Sequence, residues 1–213
     1  MAMQTKLPLE APTARQRQRE ETRTQILAAA IDIFARSGFE AASLADIAKR
    51  ARVKKALIQY HFSTKERLWK ESAQLLWQQR NQSLAMTLPG PDEAAPEVTM
   101  RRGFIALIEF SLEKPQWLWF MFHEAAAGGS RQAWLLENCM GKDYEMGEAF
   151  VRQYQSQGLI RQGSASHLLH LISGALTYNL LVAPMTLHAT GLDLSSPDSI
   201  DEQVTLLQDL LRP

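Results

Sequence analysis

The chain has 213 residues, 46% of them hydrophobic and 22% charged. That is enough apolar mass for a core in one domain or two small ones, and too much for a chain disordered throughout. The single cysteine, Cys139, excludes an internal disulfide framework, and the first residues lack the apolar run of a secretory signal, so a cytoplasmic location is expected. The formal net charge of zero conceals a division. Up to Arg80 there are 15 Lys and Arg against 8 Asp and Glu (+7), and beyond it 8 against 15 (−7). This split points to a polyanion-binding part followed by a part with another task, and a scaffold that binds only protein does not explain it.

Runs with helical spacing recur and sustained alternation is absent, so the expected fold is all-α. Residues 1–14, with Pro8 and Pro12, suggest a loose tail, followed by a basic segment with Arg15, Arg17 and Arg19. The first helix is expected from Glu20 to Ser37, with Ile26, Leu27, Ala30, Ile31 and Phe34 on its apolar face and Gly38 as its stop. Ser43 opens a second, two-turn helix as its cap, with Asp46 at the third helical position. A turn at Arg52-Val53 leads to a short third helix over "KKALIQYHF". Ser63-Thr64-Lys65-Glu66 repeats the cap-plus-acid pattern and starts a longer helix towards Gln82.

Further along, "LPGPDEAAP" (Leu88 to Pro96) is a loop signal. Helices are expected from Glu97 to Glu113, Pro115 to Ala127, Ser130 to Gln157 with an interruption at Gly141, Ser164 to Val182, and Ser199 to Leu211.

Three helices with short second and third members match a helix-turn-helix, whose last helix enters the DNA major groove. In the third helix, Val53, Leu57, Ile58 and Phe62 form a thin apolar skeleton, with Ile58 and Phe62 four residues apart on one face, against Phe34, Leu44 and Ile47. Lys55, Ala56, Gln59 and Tyr60 fall on the other face. Lysines neutralise phosphate, Gln can pair with a base edge, Tyr can reach phosphate or a thymine methyl, and Ala keeps the helix slim. Lys65 and the amide groups opening the fourth helix add a second phosphate clamp. The basic arm Arg15, Arg17, Arg19 and Arg23 has two readings of equal standing: insertion into the adjacent minor groove, or a solubilising tail.

The segment "TRTQILAAAIDIFARSGFEAASLADIAKRARVKKALIQYHFSTKERLW", Thr22 to Trp69, carries a Gly38-Phe39 pair after the first helix, Ile47-Ala48, Val53, Tyr60-His61-Phe62 and a Lys65 to Leu68 close. Here the chain resembles the TetR family of one-component bacterial transcriptional regulators. The resemblance implies DNA contacts from Ser43, Lys54, Lys55, Ala56, Gln59, Tyr60, His61 and Lys65. Three positions depart from the family pattern. Arg52 stands where relatives usually have Gly, so a less tight turn is expected. Lys54 stands where Ser or Thr usually caps the recognition helix, and Gln59, often Tyr in relatives, is expected to read a base.

The resemblance further implies a division into a flexible basic arm (1–19), a helix-turn-helix DNA-binding domain (20–67) and a larger helical domain (68–213). The last binds a small-molecule inducer and dimerises through its two final long helices. The residues agree: "HLLHLISGALTYNLLVAPM" (His167 to Met185) is apolar nearly all round, with Gly174 and Ala175 permitting close approach, and Val204, Leu207 and Leu211 form a terminal stripe. A membrane helix competes for the same run, but His170, Asn179 and Pro184 interrupt it and no basic flank follows.

Between these ends "PQWLWFMFHEAAAGG" concentrates Trp117, Phe120, His123 and Glu124. With Tyr144, Tyr178 and Asn179 these are candidate ligand contacts for an apolar or cationic molecule; core packing is the competing account of each aromatic.

The function expected is therefore a ligand-released repressor that binds a palindromic operator as a homodimer, with no catalytic residue, no metal and no cofactor. The alternative is a helical metal-dependent enzyme using His123, His167 and His170. It is weakened because Ala127 stands where H-E-x-x-H needs its second histidine.

Overall fold

The computed structural model describes residues 13–87 and 94–213, and among these it contains helices and no strand. The arm residues before Thr13, and most of the expected loop (88–93), lie outside the described residues.

Helix α1 runs Ala14–Ala41, six residues earlier than expected. Thr13 caps it by a reciprocal box: its hydroxyl accepts from the Gln16 amide at 3.2 Å, and the Gln16 side chain accepts from the Thr13 amide at 2.7 Å. The stretch Arg15 to Glu20 has no apolar stripe, so periodicity is silent there, yet Arg, Gln and Glu are all good helix formers. The segment expected to be a flexible arm is thus helical from Ala14 onward. The apolar face is as expected, with Ile26, Leu27, Ala30, Ile31 and Phe34 buried. Gly38 breaks the helix at φ 70, ψ 175, a conformation that costs an L-residue strain, and a turn continues to Ala41.

Helices α2 (Leu44–Arg50) and α3 (Lys55–Phe62) follow. The Ser43 hydroxyl accepts from the Asp46 amide at 3.0 Å, the expected cap. Helix α4 (Lys65–Thr87) is capped by Thr64, whose hydroxyl accepts from the Arg67 amide at 3.0 Å, and it continues past Gln82. Beyond it come α5 (Pro96–Glu113), α6 (Gln116–Ala127) and α7 (Gly129–Leu135). A π-helical turn (Leu136–Met140) joins α7 to α8 (Gly141–Ser156), giving the interruption expected at Gly141. Helices α9 (Ala165–Thr190) and α10 (Pro197–Leu211) close the chain.

Two apolar cores result. One joins α1–α4 to α6 and α7: Trp69 stacks on Phe120 with centroids 6.0 Å apart and meets Trp134 at 5.7 Å and Phe39 at 6.3 Å. The other gathers Met100, Phe104 and Ile108 of α5 with Val151, Tyr154, Ile172, Leu176 and Val204 from α8, α9 and α10. Between them Arg80, on α4, is buried beside Trp77 and Trp117, 5.8 and 5.2 Å from their ring centroids, and is ion-paired with Asp143 of α8. The Trp77 indole N–H donates to the same carboxylate at 3.1 Å.

Helix α9 is long and apolar enough to cross a membrane by length and composition, yet only 28% of its apolar window is buried. Its exposed apolar residues include Leu171 and Tyr178, and Leu206 and Leu210 on α10 are likewise exposed. The stripe expected from Val204, Leu207 and Leu211 turns inward instead, because those residues pack against α5 and α9 in the second core.

Candidate nucleic-acid interface

The exposed face of α3 is built by what lies beneath it. Ile58 and Phe62 are 1% and 0% exposed and share one core with Phe34 and Ile47, while Leu44 and Val53 pack at its margin. Two anchors four residues apart fix a two-turn helix that has little stability of its own. Lys54, Lys55, Ala56, Gln59 and Tyr60 consequently face solvent together. Leu57 does not join the skeleton; it is 39% exposed, on the polar side.

Two of the three departures noted in the sequence, Arg52 and Lys54, lie just before α3. Arg52 adopts φ 53, the left-handed region, and the turn is closed by the Val53 amide donating to the Ala48 carbonyl at 3.0 Å. The expectation of a looser turn is therefore corrected: the backbone keeps the shape that suits glycine, and the arginine bears the strain. Lys54 occupies the cap position of α3 and makes no side-chain cap. Arg52→Gly is expected to raise unfolding stability by about 1 kcal/mol in urea titration while weakening DNA binding through loss of a cation. A destabilised variant would contradict the strain.

The helical start of α1 lies against this face. The Arg19 guanidinium sits 5.7 Å from the Tyr60 ring and that of Arg23 5.4 Å from the Phe62 ring, with Arg23 also paired to Glu71. His61 is half-buried and its ring meets Tyr60 edge-on at 5.2 Å. Burial, and then the charges of Arg19 and Arg23, push the His61 pKa below its ordinary value, with Glu20 opposing them. The free imidazole is thus neutral at pH 7 and offers a hydrogen bond in place of a cation.

Ser43 and Lys65 are already engaged within the chain. Ser43 spends its hydroxyl on Asp46, accepting from the amide and donating to the carboxylate at 2.6 Å. The Lys65 ammonium donates to the Glu40 carbonyl at 3.2 Å and lies 4.4 Å from the Phe39 centroid. It is half-buried, so the second phosphate clamp expected at this position is held in place by contacts within the chain.

The seven candidate ligand residues are dispersed. Trp117 and Phe120 belong to the first core, and the Trp117 indole donates to Ser111 Oγ at 3.2 Å. His123 Nε2 is 3.0 Å from the Ala35 carbonyl of α1, and Glu124 is buried against Arg131. Tyr144 stacks on His170, Tyr178 is exposed, and Asn179 is half-buried. A cleft of about 440 Å³ between α1 and α6 is lined by Asp32, Arg36, Gln116, Trp119 and His123. A second, of about 690 Å³, lies between α4 and the π-turn beside Trp77, Asn81, Cys139 and Lys142. His123 alone of the seven lines either cleft. Cys139 is half-buried, and burial with the nearby Asp143 charge pushes its thiol up to about 11, which keeps it protonated at pH 7.

The metal-enzyme alternative finds no support in this arrangement. His123 faces α1, His167 Nδ1 is 3.0 Å from Ser164 Oγ, and His170 Nδ1 is 2.7 Å from the Ser166 carbonyl. Among the described residues no three His, Cys, Asp or Glu side chains converge.

Comparisons with known proteins agree with the helix-turn-helix. The sequence model described as "Bacterial regulatory proteins, tetR family" matches residues 26–71. The chain is 24% identical over 199 residues to the HTH-type transcriptional repressor NicS of Pseudomonas putida, covering 92% of this chain and 93% of that protein. Among solved structures, HlyIIR, a hemolysin II transcriptional regulator, is similar at TM-score 0.67 and 20% identity, over 92% of this chain and 99% of that one. A TetR family transcription regulator from Marinobacter aquaeolei VT8 is similar at TM-score 0.70 and 19% identity, over 92% and 98%. The family match lies on the helix-turn-helix itself, so residues 26–71 resemble the DNA-binding segment of the TetR family of bacterial transcriptional regulators, and the relative aligned over nearly the whole chain is a transcriptional repressor.

Proposed function

We propose that the protein is a cytoplasmic repressor that binds a palindromic operator as a homodimer and leaves it when a small molecule binds. Residues 20–67 are assigned to DNA and residues 68–213 to ligand and dimer contacts. Because the segment from Ala14 is helical, the DNA-binding part is extended by a rigid basic rod in place of an arm. The observation that carries this reading is the exposed face of α3: Lys54, Lys55, Ala56, Gln59 and Tyr60 stand together on a helix anchored by Ile58 and Phe62. Lys54, Lys55 and Lys65 are assigned to phosphate and Gln59 and Tyr60 to base edges, with Ser43 and His61 at the rim and Ala56 permitting close approach. The resemblance to a named repressor supports repression.

The dimer is assigned to α9 and α10, whose exposed Leu171, Tyr178, Leu206 and Leu210 leave an apolar surface uncovered in the single chain. Such a dimer places its two α3 helices in successive major grooves about 34 Å apart. Trp117 and Phe120 serve the core and Glu124 is committed to Arg131, which leaves His123, on the cleft between α1 and α6, as the better-placed ligand candidate.

Lys55→Ala is expected to weaken binding to every duplex and to lower the slope of log affinity against log salt by about 0.9. Gln59→Ala is expected to keep the slope and change base preference at one position in each half-site. Fluorescence anisotropy across a salt series, on a duplex enriched from random sequence with the wild-type protein, measures both. Wild-type slope and preference in both variants would refute the assignment of α3.

A further inference from the structure

One arginine clasps the end of α1 from the second half of the chain. Arg131, on α7, keeps only 18% of its side chain exposed. Its Nε donates to Glu124 Oε1 at 3.3 Å and lies 3.2 Å from Oε2, its Nη1 is 3.0 Å from the Glu40 carboxylate, and its guanidinium lies 4.1 Å from the Phe39 centroid. Glu124 is 2% exposed, so its carboxylate requires a partner. A planar fork can serve two acids and a ring face together; a single ammonium cannot.

Phe39 and Glu40 are also held by Lys65, which donates to the Glu40 carbonyl and lies over the same ring. These two residues therefore contact both a cation of α7 and a cation in the first turn of α4. They follow the break at Gly38, so the regular helix does not fix them. Side-chain contacts do so instead, aided by His123 against the Ala35 carbonyl.

We infer that Arg131 is a positioning residue for DNA binding: through Phe39 and Glu40 it sets where Lys65 and the start of α4 stand relative to α3. This rests on the assignment of Lys65 and α3 to the DNA side. It gives the distal helices a physical handle on the interface, because a shift of α7 moves Phe39 and Glu40, and with them Lys65.

The test uses the full-length protein and a duplex enriched from random sequence, with Arg131→Lys, Lys65→Ala, their combination, and Glu40→Gln. Arg131→Lys keeps the charge that DNA feels at a distance and keeps a cation for Glu124, but it loses the bridge. Roughly fivefold weaker binding is expected, with no further loss when it is added to Lys65→Ala. Glu40→Gln, at a side chain 81% exposed, removes a negative charge, which by field alone tightens binding; a positioning role makes it weaker. Wild-type affinity of Arg131→Lys, an equal fold loss in the Lys65→Ala background, or tighter binding by Glu40→Gln would each overturn the inference. Should Arg131→Lys be unfolded at the assay temperature, Glu40→Gln carries the test alone. If Lys65→Ala and Lys55→Ala both bind like wild type, the assignment of the DNA face fails instead.

Discussion

Leu171→Glu combined with Leu210→Glu is expected to convert the protein into a folded monomer whose affinity for a palindromic duplex falls by about 10²–10⁴-fold. Leu171 is 66% and Leu210 72% exposed in the single chain, so the substitutions remove nothing from either core. In a dimer each would place a carboxylate inside an apolar contact, where an unpaired charge is strongly disfavoured. The loss in affinity follows from linkage. Joining two DNA-reading helices makes the second half-site contact intramolecular, and separating them forfeits that effective concentration. Light scattering after size exclusion reports the mass, thermal melting the fold, and anisotropy the affinity. A variant that remains dimeric places the interface on other helices.

Asp143→Ala is expected to cost about 3 kcal/mol of stability and to lower the melting temperature by on the order of 10 °C. Arg80 has 8% of its side chain exposed and lies between two tryptophan rings, so without Asp143 its charge retains only the Asn81 amide oxygen, at 2.8 Å, as an acceptor. The Trp77 indole also loses its acceptor. The cost is carried largely by the uncompensated charge, so Arg80→Met together with Asp143→Leu should regain most of it. Urea titrations of the single and double variants decide this, and a loss below about 1 kcal/mol in the single variant would show that solvent reaches the arginine more freely than its packing implies.

These two features differ in how far the sequence announces them. Apolar spacing marks α1 from Ile26 to Phe34, and Ser43 with Asp46 marks the start of α2, because periodicity and capping act over a few residues. Helix α9 was expected to end near Val182, since proline removes an amide donor, yet it passes Pro184 and ends at Thr190 with Gly191 in the left-handed conformation. The polar face of α3 is legible because two buried anchors orient the rest of so short a helix. Leu57 is not, since its apolar character alone does not say that it lies on the polar side. The aromatic run in α6 has the spacing of a core helix and of a pocket wall alike, and only the opposing surface decides: Trp69 and Trp77 fill it. Arg80 carries a weak signal, a cation in register with Leu76 and Trp77 on an otherwise apolar stripe. Arg131 carries none, because its partners lie on two other helices, α1 and α6, one of them some ninety residues away.

The capped start of α1 gives the molecule a built-in pointer. From Ala14 to Gln25 the helix extends about 18 Å ahead of its first fully buried residue, Ile26. A tilt of about 10° in the helices that carry α3 would displace the tip by about 3 Å through leverage alone. Spin labels at Ala14 in the two protomers would therefore report small changes in the attitude of the DNA-reading helices as a magnified distance.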